Sequence, residues 1–304
     1  MPLLEVRGIR KVYGKRAVVD NVDFYVEPGE IVGLLGPNGA GKTTSFRITI
    51  GLLAANGGTV YFNGENVTHM PMYQRARRGM GYLPQEPSVF RGLTVEENLL
   101  AILETMKLPR QQRLNRARGL LAELELSQKA HQRADTLSGG ESRRLEITRA
   151  LVTNPSLLLL DEPFSGIDPK AVAEIQGIIE GLRERGIGIL LTDHNVRDTL
   201  AITDRSYILN EGKVFRNGTS EELITDEEVR RVYLGERFRA DELLSRDVPT
   251  RRRESYPETY EDKVFTEAPP IAAGEEKAED AEVREIEKDM ERMRGKEGAR
   301  EGER

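Results

Sequence analysis

The stretch Gly36-Pro37-Asn38-Gly39-Ala40-Gly41-Lys42-Thr43-Thr44 decides the fold of this 304-residue chain. It satisfies the phosphate-binding pattern Gly-x-x-x-x-Gly-Lys-[Ser/Thr] in full. The apolar run 31–35 before it is typical of a buried strand, and residues 44–50 after it lack glycine and proline and can continue as a helix. A strand, a glycine-rich loop and a helix in this order predict a P-loop nucleotide-binding core.

The residue types of this loop suit an anion. Glycines let the backbone wrap closely around a phosphate and turn its N–H groups inward, and the helix behind them adds its positive dipole end. Lys42 supplies a charge for the outer phosphates, and Thr43 offers a hydroxyl to Mg²⁺. The alternative is a glycine-rich turn that binds nothing, which fits the complete pattern poorly. We therefore predict a nucleoside triphosphate site.

The amino-acid composition excludes several classes of protein. The chain has no cysteine, which excludes disulfides and thiol chemistry. No run approaches the roughly 18 apolar residues of a membrane span, and residues 1–10 lack a signal core, so we expect a soluble, cytoplasmic chain that reaches membranes through partners. Residues 241–304 hold 20 acidic and 13 basic side chains, a net charge of −7. Because the net charge of the whole chain is −6, residues 1–240 have a net charge of about +1. Neither part has the basic excess of a nucleic-acid-binding surface.

Short strands and turns surround the phosphate loop. Alternating residues predict strands at 3–12 and 17–26 with a turn at Gly14, and further strands at 59–62 and 80–83.

A helical stretch interrupts this pattern. Thr94-x-x-Glu97 is a capping box ahead of one helix, and residues 113–126 read as a second amphipathic helix. We therefore predict that residues 86–134 form a helical subdomain inserted in the α/β core.

Two acids and a histidine follow predicted core strands. Asp161 and Glu162 come after the apolar run 157–160, and His194 follows the run 187–192. Such strand ends lie beside the phosphate loop in P-loop folds. We expect Asp161 to hold Mg²⁺, Glu162 to polarise the attacking water and His194 to reach the γ-phosphate. A solvated acidic turn is the alternative.

Three other features say less on their own. Tyr13, upstream of the phosphate loop, can stack on a purine base or be an ordinary rim tyrosine. Gln85 follows a strand and can offer its carbonyl oxygen to Mg²⁺. Ser138 can cap a helix while Gly139 and Gly140 expose its first N–H groups, which makes a second anion-binding terminus. One nucleotide does not need two such termini from one subunit, which indicates a site shared between two subunits.

The composition changes after about residue 240. Residues 241–304 are charged, hold several prolines and have few large apolar residues, so we predict a mostly disordered acidic tail. Val283, Ile286, Met290 and Met293 fall at heptad-like spacing within it. Both a short docking helix and a frayed solvated helix fit that spacing.

Together these segments resemble the nucleotide-binding subunits of ABC transporters, over residues 1 to about 240. The matching segments in family order are Tyr13, the phosphate loop 36–44, Gln85 of the glutamine loop, the signature Leu137-Ser138-Gly139-Gly140-Glu141, the strand and acids 157–162, the loop Ser165-Gly166-Ile167-Asp168 and the switch histidine His194. The sequence departs from the family where Glu141 replaces the usual Gln and Gly166 the usual Ala. Neither change removes a group that the chemistry needs.

The resemblance implies an ABC ATPase fold: α/β, a P-loop NTPase with a RecA-like core, an N-terminal antiparallel β-subdomain and an inserted α-helical subdomain (86–134), all within one domain (1–240). It also implies ATP and Mg²⁺ as ligands. Lys42, Glu162 and His194 would be catalytic, and Thr43, Gln85 and Asp161 would hold the metal. The nucleotide contacts would be Tyr13, Gly36, Pro37, Asn38, Gly39, Ala40, Gly41, Lys42, Thr43, Thr44, Ser138, Gly139, Gly140 and Asp168.

A finer resemblance is to the ATPase family of lipopolysaccharide export. It implies a homodimer on the cytoplasmic face of the inner membrane, closed by ATP, with two polytopic permease subunits docked near residues 85–91. Phe90 in that loop faces either such a partner or the helical subdomain. The resemblance is carried by Gly81-Tyr82-Leu83-Pro84-Gln85-Glu86, Ser88-Val89-Phe90-Arg91, Gly139-Gly140-Glu141-Ser142-Arg143-Arg144-Leu145-Glu146, Asp161-Glu162-Pro163-Phe164-Ser165-Gly166-Ile167-Asp168-Pro169, Thr192-Asp193-His194-Asn195-Val196-Arg197 and Tyr233-Leu234-Gly235-Glu236.

Three other functions compete with this one. The ATPase of a branched-chain amino-acid importer has a similar cassette, but residues 192–195 and 233–236 favour export. Non-transport cassette proteins of DNA repair or translation usually carry two cassettes or a long coiled coil, and this chain has one cassette. A regulatory subunit that binds ATP without hydrolysing it would not need both Glu162 and His194.

Overall fold

The structure, a computed structural model, describes residues 1–234, so the predicted tail 241–304 lies outside the described residues. Its strands are Leu4–Tyr13 (β1), Arg16–Val26 (β2), Ile31–Leu35 (β3), Gly57–Phe62 (β4), Glu65–Asn66 (β5), Met80–Leu83 (β6), Leu157–Asp161 (β7), Gly188–Thr192 (β8), Arg205–Asn210 (β9) and Lys213–Gly218 (β10). Its helices are Lys42–Ile50 (α1), Met72–Arg77 (α2), Val95–Leu103 (α3), Arg110–Glu123 (α4), Gly139–Leu151 (α5), Pro169–Glu184 (α6), Val196–Leu200 (α7), Ser220–Thr225 (α8) and Glu227–Val229 (α9).

A six-stranded sheet forms the centre of the described structure, with the strand order β10-β9-β3-β8-β7-β6. The five strands from β9 to β6 run parallel, and β10 pairs with β9 as an antiparallel edge strand. Every residue of β3, β7 and β8 is buried, as expected when helices cover both faces of a parallel sheet. The predicted α/β core is confirmed, and the carboxyl ends of β3, β7 and β8 lie along one edge.

A second, antiparallel sheet has the order β2-β1-β4-β5. Its β4–β5 hairpin closes through Asn63 and Gly64, which both adopt positive φ, as a two-residue primed turn requires. This sheet is the predicted antiparallel β-subdomain. The first strand was predicted to end at residue 12, but β1 continues to Tyr13, which pairs with Arg16.

The helical stretch differs in detail from the prediction. Helix α3 begins at the expected capping box of Thr94. Helix α4 spans Arg110–Glu123, three residues before the predicted 113–126 at each end. Pro109, with φ −56°, sets its start, and Glu125 turns into the left-handed region at φ 57° soon after its end.

Other local predictions were incomplete. Helices α2, α7 and α8 were not predicted. Residues 227–234 are α-helical only to Val229, and a wider helical turn follows at Arg230–Leu234. Within residues 1–234, none of the helices has the length and apolar character needed to cross a membrane.

Candidate nucleotide site

The phosphate loop is held against its neighbours through its glycines. Gly36 has φ 143°, and a Cβ placed there would come within 2.2 Å of the Leu209 carbonyl oxygen. Gly41, the residue before α1, has φ 100°, and its Cβ would come within 2.7 Å of the Val18 carbonyl oxygen. Both positions therefore exclude a side chain on two grounds, conformation and space.

Lys42 lies in the centre of this loop and is 9% exposed. Its Nζ donates hydrogen bonds to the carbonyl oxygens of Gly36 (2.6 Å) and Pro37 (3.1 Å). Burial lowers the pKa of Lys42, and the charges of Glu162 and Asp161 oppose that shift. The ammonium thus lies near the two predicted acids, at the point where the outer phosphates of a nucleotide are expected.

Asp161 ends β7 and is 2% exposed. The Tyr82 hydroxyl lies 3.4 Å from its Oδ2, and Oδ1 has no hydrogen-bond partner among the described residues. Burial, followed by the charge of Glu162, raises the pKa of Asp161. A buried carboxylate oxygen without a partner is costly unless a cation or water completes it, so this residue fits the predicted Mg²⁺ site.

Glu162 lies beside two other predicted site residues, Gln85 and His194. Gln85 Nε2 donates to Glu162 Oε2 at 2.8 Å, and His194 Nδ1 lies 3.4 Å from the same oxygen. The backbone of Glu162 is left-handed at φ 50°, and its N–H donates to the Thr192 carbonyl at 2.7 Å. A non-glycine residue in this region is uncommon and is found at functional sites.

Asp193, between β8 and the histidine, fixes the adjoining loops. Its buried carboxylate accepts hydrogen bonds from the N–H groups of Phe164 (3.0 Å) and Asn195 (2.9 Å). Burial raises the pKa of Asp193, and these two bonds oppose the shift. The segment after Glu162 is thereby joined to the segment that carries His194.

Arg143 on α5 is a site residue that the sequence reasoning missed. Its guanidinium is buried and donates to the carbonyl oxygens of Asp161 (3.2 Å), Glu162 (2.8 Å), Pro163 (3.1 Å) and Pro84 (3.1 Å). One side chain thus holds the backbone on both sides of the predicted catalytic acid and before Gln85. Its residue type gave no signal in the sequence, because an arginine on a helix is typical of a solvated surface.

The part of the site where a nucleotide base is expected is open to solvent. Tyr13 is 51% exposed, and Lys11 Nζ lies 5.4 Å from its ring centre. A cavity of about 330 Å³ lies between the start of β2 and the phosphate loop, lined by Arg16, Val18, Pro37 to Ala40 and the turn Asn210-Glu211-Gly212. An exposed aromatic ring suits a stacked base, but Tyr13 does not line this cavity, so its contact with a base stays a prediction.

The signature segment has the predicted helix start. Ser138 Oγ accepts from the Glu141 N–H (3.3 Å), and Glu141 Oε2 accepts from the Ser138 N–H (2.9 Å). Glu141 in place of the family's Gln therefore completes a capping box. Ser138 and Gly139 are exposed at this start.

The neighbours of the signature glycines belong to the loop before α6. A Cβ at Gly139 would lie 3.6 Å from Ile167, and one at Gly140 would lie 2.8 Å from Ala171. Asp168 caps α6, because its Oδ1 accepts from the N–H groups of Lys170 and Ala171. A contact from Ser138, Gly139, Gly140 or Asp168 to a nucleotide stays a prediction.

No group of three or more His, Cys, Asp or Glu side chains forms a metal site within residues 1–234. The predicted Mg²⁺ site does not need such a group, since it would use one carboxylate (Asp161), one hydroxyl (Thr43) and one amide (Gln85) together with phosphate oxygens.

Comparison with known proteins agrees with this geometry. Residues 19–165 match the family described as ABC transporter. Over 240 residues, the chain is 51% identical to the lipopolysaccharide export system ATP-binding protein LptB of Haemophilus influenzae, an alignment that covers 79% of this chain and 100% of the relative.

Two solved structures share the fold. The ADP conformation of an ATP-binding cassette of an ABC transporter gives a TM-score of 0.71 at 28% identity and covers 78% of this chain and 100% of that one. A dimeric post-hydrolysis state of another ATP-binding cassette, bound to ADP and Pi, gives 0.64 at 26% identity and covers 71% and 98%.

Proposed function

This chain belongs to the ATP-binding proteins of ABC transporters, and from that premise we propose that it powers the export of lipopolysaccharide from the inner membrane. It is an ATPase whose nucleotide site lies at the carboxyl edge of the central sheet. The observation that carries the finer proposal is the identity of 51% over the full length of an export relative. The segments 192–195 and 233–236 favour that assignment over a branched-chain amino-acid importer.

The reaction uses groups that are already close together. Glu162, flanked by Gln85 and His194, polarises the attacking water. Lys42 stabilises the outer phosphates, and His194, which is exposed, contacts the γ-phosphate from the end of β8. Thr43, Asp161 and Gln85 would hold Mg²⁺, which would neutralise charge on the phosphates.

The second half of the site comes from another copy of the chain. Ser138 and Gly139 are exposed at a capped helix start, and buried Gly140 packs against Ala171 of α6. We propose that this start binds the nucleotide held on Lys42 of the partner copy, so that two ATP molecules close a homodimer and hydrolysis opens it. The dimeric, ADP- and Pi-bound cassette of similar fold supports this arrangement.

The docking surface for the membrane subunits is the loop 85–91. Phe90 is 45% exposed, and the Arg149 guanidinium lies 4.4 Å from its ring centre. Asn98 holds the Phe90 backbone through bonds to both its N–H (2.8 Å) and its carbonyl (3.1 Å). A fixed, half-exposed aromatic ring suits a protein partner. This chain would thus sit on the cytoplasmic face of the inner membrane through its partners.

Affinity purification from membranes tests the finer assignment. The full chain carries the tag, and a Phe90→Ala variant with the same tag is the matched comparison. Polytopic export subunits should copurify with the parent chain and less with the variant. Recovery of amino-acid importer permeases would replace the export assignment.

A further inference from the structure

Three residues on one face of α5 bind the loop that precedes Phe90. Arg143, Glu146 and Arg149 are spaced three apart, so their side chains leave the helix on the same side. Arg143 Nη1 donates to the Pro84 carbonyl at 3.1 Å, and Arg149 donates to the carbonyl of Ser88. The start of this helix is the signature segment itself.

Glu146 is the central member of this row. Its Oε1 accepts the Ser88 N–H at 2.7 Å, and its Oε2 accepts Arg143 Nη1 at 2.8 Å. Glu146 is 4% exposed, and its two partners use both of its oxygens. One carboxylate therefore connects the docking loop to the guanidinium that holds the Glu162 carbonyl.

We propose that Glu146 is a positioning residue that fixes the loop 85–91 to α5, so that movement of this loop is transmitted together to the signature residues and to the backbone of Glu162. Its role in transmission rests on the proposed docking of membrane subunits at this loop. The anchoring itself does not, because every contact lies within one chain.

The absence of cysteine makes the anchoring measurable. Arg91→Cys places a single spin-label site on the exposed end of the loop, and Glu184→Cys places one on exposed α6 as a reporter of general loosening. Each is combined with Glu146→Ala or Glu146→Gln in the full-length chain. Glu104→Ala, which removes an exposed carboxylate after α3, is the matched control.

The two variants separate anchoring from charge. Glu146→Ala should add a mobile component to the spectrum at position 91 and leave position 184 unchanged, because the Ser88 N–H loses its acceptor. Glu146→Gln keeps an oxygen at that place, so its spectrum should match the parent. Loosening one coupled contact should lower kcat of the alanine variant about 2- to 30-fold, with ATP affinity within about twofold of the parent.

An unchanged spectrum at position 91 in Glu146→Ala overturns the proposal. So does equal loosening at positions 91 and 184, which would show a general packing role. These readouts need no membrane partner, so a failed purification of export subunits contradicts the proposed function and leaves this test intact.

Discussion

Gln85 Nε2 donates a hydrogen bond to Glu162 Oε2 at 2.8 Å, which joins the loop after β6 to the residue after β7. His194 Nδ1 lies 3.4 Å from the same carboxylate oxygen. Residues from three strand ends therefore converge on one oxygen, and that oxygen belongs to the acid expected to polarise water. The Gln85 side chain therefore connects the loop 85–91 to the Glu162 carboxylate, while Glu146 and Arg143 connect the same loop to the Glu162 backbone.

Glu162→Gln should retain ATP binding and lose hydrolysis. The amide keeps the size of the side chain but is not a base, so we expect the rate to fall at least about 100-fold. Bound ATP should then accumulate and hold two copies together, which size-exclusion chromatography with ATP detects. Glu184→Gln, an exposed carboxylate on α6, is the control. A Glu162→Gln variant that hydrolyses ATP at the parent rate would refute the role.

Lys42→Ala should weaken ATP binding by about 10- to 100-fold, since a charge-assisted hydrogen bond is worth about 1.5–3 kcal/mol. A fluorescent ATP analogue measures this directly. Lys213→Ala removes a lysine whose side chain is 67% exposed on β10 and should bind ATP like the parent. Equal affinities of the two variants would contradict the phosphate-loop assignment.

The site was predictable where chemistry demands fixed residue types. The phosphate loop, Asp161, Glu162 and the strand that precedes them follow from pattern and burial alone. Helix α8 was missed although Thr219-x-x-Glu222 is a capping box, because no long apolar period follows it. Arg143 was missed for a different reason: an arginine on a helix reads as solvated until the carbonyls around it are known.

The C-terminal end of α4 also could not be predicted from the sequence pattern. The apolar period continues to Leu126, which is fully buried, so it favours a longer helix. The positive φ of Glu125 instead turns the chain back while Leu126 still packs in the core. The spacing of apolar residues indicates which residues are buried. A residue that is buried after a turn can fit this spacing although it lies outside the helix.

Arg75→Met should destabilise the fold. The Arg75 guanidinium is 2% exposed and donates to the carbonyls of Ile48 (3.0 Å), Thr49 (2.6 Å), Thr68 (3.0 Å) and Met70 (2.9 Å), which include the last turn of α1. Burial lowers the pKa of Arg75 to about 10.

Methionine fills similar volume but leaves these carbonyls unpaired, so we expect a loss of about 2–4 kcal/mol in the free energy of unfolding. Urea denaturation measures it. Arg77→Met, at an exposed position of the same helix, should change stability by less than about 0.5 kcal/mol. Equal stabilities of the two variants would show that the Arg75 contacts are unimportant.

Mg²⁺ binding should weaken in acid earlier than for an ordinary aspartate. Burial and the charge of Glu162 raise the pKa of Asp161 in the folded chain, so protons compete with the cation at a pH above the usual aspartate range. The folded state also binds more protons here than the unfolded state, so this group stabilises the fold as pH falls through its raised pKa. Protonation of Asp161 therefore does not itself destabilise the fold.

Paramagnetic Mn²⁺ in the presence of a non-hydrolysable ATP analogue measures this competition. Affinity should fall by up to about tenfold per pH unit below the pKa of Asp161. Tyr82→Phe removes the hydroxyl 3.4 Å from Asp161 Oδ2. Because that contact lowers the pKa of Asp161, the variant should lose Mn²⁺ at a still higher pH. Asp161→Asn cannot titrate at this position, so its weaker affinity should be less sensitive to acid. A parent chain and an Asp161→Asn variant with the same pH profile would remove Asp161 from the metal site.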